Sequence, residues 1–207
     1  MADVTIGQLN QGTPDKNSAV IPYSDGTTTL RTAPSGIVAA SPGCLLQVKQ
    51  AIRTSVYSLI NGNTWEDVPN ITVTITPRTL SSKFLLSWTA GASTSLRWGQ
   101  GTVGLLLKFV RTMNNVSEDV GVGDSRGGDV KRCTAGCLMV DWDYIANISG
   151  VYLDSPTISN LTTPITYKMQ AFKDGTTYDQ MLGGSYRTSY VGDASCPTIL
   201  TIQEIAG

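Results

Sequence analysis

The side chains of this sequence that could combine to do chemistry are a few carboxylates and four cysteines. Glu118, Asp119, Asp124 and Asp129 fall in one Gly-rich stretch. Several oxygens on a turn are what Ca²⁺ needs, but the spacing is not that of a DxDxDG loop, and aspartates also serve turns on their own account. Asp141 and Asp143 stand two apart, on one face of a strand. A carboxylate pair can cleave a glycosidic bond, yet two acids on a wet strand face are far commoner. Histidine is absent, which removes the commonest general base and metal ligand and leaves no imidazole to activate a serine or cysteine. Of Cys44, Cys133, Cys137 and Cys196, only Cys133 and Cys137 are close, whereas a four-cysteine zinc site usually shows two close pairs. A disulfide joining those two remains open, with free thiols the default where no secretory signal is seen. These residues point to a protein that is not an enzyme and holds no metal or cofactor.

Binding is the next chemistry to weigh. Arg97 and Trp98 sit in the polar run Gly91 to Gly101, read here as a long loop. Tyr178, Tyr186 and Tyr190 fall in predicted loops and edge strands. Exposed aromatics can stack on sugar rings or on a partner protein, and subunit packing would use them equally well. Trp65 and Trp88 read as core.

These residues must be carried by strands. In the stretch Trp65 to Trp88, Ile71, Val73 and Ile75 alternate with Thr72, Thr74 and Thr76. Period two in β-branched residues is a strand pattern, with the Ile/Val face buried. Pro77 ends that ladder because it has no N–H to donate. Arg78 to Lys83 turns the corner, and Phe84, Leu86 and Trp88 start a second alternating strand. Further strands are predicted at Leu45–Gln50, Val56–Ile60, Val103–Val110, Leu138–Ile145, Gly150–Asp154, Thr166–Phe172, Tyr186–Val191 and Ile199–Ile205. Asp174-Gly175 reads as a hairpin turn into Thr177-Tyr178, and residues 114–136 read as loop. No helical segment stands out. The fold class is all-β: an antiparallel sandwich, most simply a jelly roll, over residues 44–207.

Residues 1–43 differ. Proline and glycine recur, and short apolar clusters, among them Ile6 with Leu9 and Ile21 with Tyr23, are too small to bury themselves. They read as an extended arm with one small hairpin at Asp25-Gly26, expected to anchor on a partner. The N-terminus lacks the basic-then-apolar pattern of a secretory signal, and no run is long enough to span a bilayer as a helix. Charged residues are only 15%, with 15 basic against 16 acidic, so no electrostatic case exists for nucleic acid or an anionic membrane. Val103–Val110 and Ile199–Ile205 carry apolar residues on both faces, whereas a two-layer sandwich covers one. Leu106 and Val110, or Ile199 and Ile205, are therefore candidate subunit contacts.

The pieces LLQVKQ, WEDVPNITVTITPRTLSSKFLL, VYLDSP, TTPITYKMQ and ILTIQEIAG together resemble a family of C-terminal domains in virion proteins of tailed bacteriophages, often cyanophages. NSAVIPYSDGTTTLRT resembles the leaders of phage fibre and decoration proteins. The resemblance implies a trimeric jelly roll used as a capsid-surface knob or a fibre tip, and supplies no site residues. Unlike typical fibres, this sequence has no coiled-coil or repetitive shaft. The expectation is a structural protein of the phage virion surface, made in the host cytoplasm. It would be a homotrimer anchored by its arm on a major capsid protein or a tail or baseplate protein. Capsid cement or decoration is favoured over a short tail fibre for host attachment. The rival reading is a lectin-like module that binds host-surface glycan.

Overall fold

The computed structural model describes residues 21–24, 29–32, 42–128, 130–141, 144–189 and 193–207. Every regular element among them is a strand, and the strands beyond the arm form two antiparallel sheets. In the arm, β1 (Ile21–Ser24) pairs with β2 (Thr29–Thr32), as the Asp25-Gly26 signal predicts, although that turn itself lies outside the described residues. Ile6 and Leu9 also lie outside them.

The first sheet of the main body is built on β6 (Lys83–Thr94). One edge of β6 pairs with β13 (Thr198–Ile205) and then with β12 (Gln180–Leu182). Its other edge pairs with β10 (Ala146–Asp154). β3 (Leu45–Arg53) lies outside β13, and β4 (Tyr57–Ser58) outside β12. The second sheet runs β5 (Trp65–Ile75), β11 (Ile165–Lys173), β7 (Val103–Met113). β8 (Val116–Val120) and β9 (Ala135–Met139) share the far edge of β7.

Alternation sets which face each strand buries. Ile71, Val73 and Ile75 are buried while Thr72, Thr74 and Thr76 are exposed, as their spacing predicts. Phe84, Leu86 and Trp88, with Leu200 and Ile202, meet them from the opposite sheet, and Leu105, Leu107, Phe109 and Met169 extend the layer on their own side. Rings bridge the layers, with Trp88 and Phe109 centroids 4.8 Å apart and Phe84 and Tyr167 6.0 Å apart. Gly150 lies opposite Trp88 in the ladder, and a Cβ there would stand 2.6 Å from the indole Cζ2. The corner after Pro77 closes on itself. Ser82 N donates to Thr79 O at 3.3 Å, and Thr79 N donates to Ser82 Oγ at 3.2 Å.

Several predicted boundaries are corrected. Gly91 to Thr94 is strand rather than loop; these small residues are buried, and Ser93 and Thr94 donate to the carbonyls of Gly184 and Asp179 at 2.6 and 3.0 Å. Residues 114–136 are not all loop. Asn114 and Asn115 have φ of 52° and 61°, the left-handed pair of a two-residue hairpin, and they join β7 to β8. The predicted Leu138–Ile145 strand is displaced, with β9 ending at Met139 and β10 starting at Ala146. Val56–Ile60 shrinks to two residues. Asp174-Gly175 makes no hairpin, because β12 pairs with β6 and β4 and the turn carries the chain to the other sheet. Tyr186 to Ser189 form no strand, and β12 precedes them; Tyr190 and Val191 lie outside the described residues.

Candidate interaction surfaces

The outer faces of the two sheets differ in chemistry. On the first sheet, register places Val48, Gln203, Leu85 and Leu153 in one row, and Gln50, Thr201, Ser87 and Val151 in the next. Ile52 with Ile199 and Leu45 with Ile205 flank these rows. Leu45, Val48, Ile52, Val151 and Leu153 are exposed, and Ile199 and Ile205 half-buried. Among the described residues the only charge in these rows is Lys83, beside Ile205.

The second sheet's outer face is charged and paired. Lys168 bridges Asp67 at 2.9 Å, and Lys108 bridges Asp119 at 2.9 Å. Lys108 Nζ also lies 4.8 Å from the Trp65 ring centroid, and Trp65 packs on Phe172 at 5.4 Å. Burial opposes the charge of Asp67, but hydrogen bonds from Gln170 and Lys168 outweigh it and hold its carboxyl below the usual value. Leu106 is half-buried on this face and Val110 is already buried by its own chain.

The candidate contact residues scatter. Trp98 is 74% exposed, in the loop after β6, beside exposed Arg97. Tyr178 is half-buried and packs against the core, and Tyr186 is half-buried. No ring contact joins Trp98 to either tyrosine among those the structure shows. The acids scatter too. Asp119 is ion-paired on β8, Asp141 is buried with Oδ1 lacking a partner among the described residues, and Asp129 and Asp143 lie outside them. All four cysteines are free thiols; burial pushes that of Cys137 up to about 11.

One cluster escaped sequence reasoning. Asp154 at the end of β10 is 4% exposed. Arg111 Nη1 donates to its two oxygens at 2.7 and 2.8 Å, and Tyr167 Oη donates to Oδ2 at 2.8 Å. Arg111 Nη2 also reaches the Glu118 carboxylate. Burial works against the Arg111 charge, but the bond to Asp154 and its charge outweigh that and raise the guanidinium further. Burial first, then Asp154, push the Tyr167 phenol far above its ordinary value. The aspartate of VYLDSP and the tyrosine of TTPITYKMQ thus meet, although nothing in their spacing announces an Arg111 partner.

No protein-family model and no curated protein matches the chain. Among solved structures it is similar to a chain in the structure of the infectious bursal disease virus Gx strain, with 12% identity and a TM-score of 0.36. The match covers 99% of this chain and 54% of that one, so this chain spans about half the other's length.

Proposed function

We propose that this is a non-enzymatic structural protein on the outside of a bacteriophage virion, a homotrimer whose N-terminal arm anchors it to the particle. The carrying observation is the nearly uncharged outer face of β3, β13, β6 and β10, with exposed Leu45, Val48, Ile52, Val151 and Leu153. A face this poor in charge is weakly protected from association. Four strands of about eight residues give roughly 500 Å² per copy, so three copies around one axis bury about 1,500 Å² in all, each copy dividing its face between two neighbours. The paired charges on the opposite face favour water there. Ile199 and Ile205 are therefore preferred over Leu106 and Val110 as subunit contacts. The arm, with Ile21 and Tyr23 on its hairpin, lies along a capsid or tail protein. Capsid decoration is the reading preferred here over a short tail fibre. A cryo-EM map of the virion tests the placement. Density for this protein on the capsid is expected, and density on the tail alone would overturn decoration.

The second reading, a glycan-binding module, is favoured by exposed Trp98. Trp98→Ala should then abolish host-cell or glycan-array binding, and unchanged binding would remove Trp98 from that role.

A further inference from the structure

The inner faces of a sandwich are expected to be apolar, but at one side of this one they are charged. Arg111 and Glu118, opposite each other on β7 and β8, and Tyr152 and Asp154 on β10 belong to inward-facing rows. They sit where the two sheets part, and β10 has no hydrogen-bonded neighbour beyond β6 among the described strands. The cleft there has a volume of about 520 Å³, inside the range of small-molecule sites at roughly 300–1,000 Å³. Asp119, the backbone of Val120 to Gly123 and Arg132 complete its lining.

The polar groups divide into those already satisfied and those not. Asp154 is saturated by Arg111 and Tyr167. Asp119 is matched by Lys108. Arg132 is exposed; its Nε donates to Gly123 O at 2.8 Å, and its two Nη groups have no acceptor among the described residues. Glu118 gives one oxygen to Arg111, and its other oxygen has no donor among them. Gly121, at φ 64°, lies so close to Tyr152 that a Cβ would stand 2.9 Å from the ring, so the loop backbone rests on the aromatic wall.

We propose that this cleft binds a neutral pyranose sugar. A vicinal diol can donate one hydroxyl to the open Glu118 oxygen while its oxygens accept from the Arg132 fork. A simple anion would meet Glu118, and a simple cation would meet Arg132. A ligand that both donates and accepts matches both. The site is independent of the assembly reading, because it lies on the inner side of the sandwich, away from the uncharged face.

Saturation-transfer NMR on the full chain tests it, with millimolar methyl α-D-mannopyranoside, methyl α-D-glucopyranoside and methyl β-D-galactopyranoside as probes. Transfer to at least one is expected. It should fall at least about five-fold in both Arg132→Gln and Glu118→Gln, and persist in Trp98→Ala, with circular dichroism confirming that each variant is folded. Glu118→Gln keeps the shape of the side chain, so its loss cannot be assigned to a collapsed loop. No transfer to any probe, transfer abolished only by Trp98→Ala, or a ten-fold preference for methyl β-D-glucuronide would each overturn the proposal.

Discussion

Glu204 is fully buried at the end of β13, and no cation pairs with it among the described residues. Its carboxylate instead accepts from Arg78 N at 2.6 Å, Ser82 Oγ at 2.5 Å and Gln47 Nε2 at 2.5 Å. These donors come from the corner after Pro77 and from edge strand β3, so one side chain fastens the corner to β13 and to its edge neighbour β3. A buried acid is tolerable only when it is bonded in this way. Removing it strands a backbone N–H and a hydroxyl away from water. Glu204→Ala should therefore cost on the order of 3 kcal/mol in denaturant unfolding, and Gln47→Ala under about 1 kcal/mol because its amide is part-exposed. Equal small losses for both would show that Glu204 does not hold the corner. The Asp154 cluster works by the same rule, with a cation added, and its partners are 43 and 13 residues away in sequence. Such distances explain why it was not legible: single residues named neither Arg111 nor Tyr167 as partners, whereas the dense apolar alternation nearby did name the core.

At the scale of elements, β5 carries the sharpest test of the fold. Val73 is buried and Thr74 exposed, its hydroxyl 3.0 Å from that of Thr166 on β11. Val73→Asp buries an unpaired charge and should cost several kcal/mol, on the order of 4, while Thr74→Asp should cost about 1 or less. Thermal melts that drop equally at both positions would contradict the assigned face. Strands such as β5, β7, β11 and β13 were legible because half-burial imposes period two on their residues. β8 and the end of β6 were not, for opposite reasons. Val116 to Asp119 are exposed and form an edge strand with no apolar stripe, held by the Asn114-Asn115 turn and by cross-strand ion pairs. Gly91 to Thr94 look like loop residues but are buried, because Gly91 admits Cys196 where a Cβ would stand 2.2 Å from its Sγ. Small polar residues that find carbonyl partners in the interior leave no periodic mark on the sequence.

On the whole-molecule scale, the sandwich has one ion-paired outer face, which suits water, and one nearly uncharged outer face, which suits contact with other copies. The arm enters beside the uncharged face, where Gly43 N donates to Ala206 O at 2.7 Å. If anchoring and assembly are separate tasks, deleting residues 1–43 should leave a trimer that no longer attaches to particles. Wild-type occupancy on virions after the deletion would show that the arm is no anchor. The central claim is that the β3, β13, β6 and β10 face joins the copies, and light scattering of the full chain at micromolar concentration tests it most directly. Wild type should have the mass of three 22.0 kDa chains. Val151→Lys combined with Ile199→Lys should give a folded monomer, while Leu106→Lys should remain trimeric. A monomeric wild type, or a trimer that survives the first pair of substitutions and dissociates with Leu106→Lys, would contradict it.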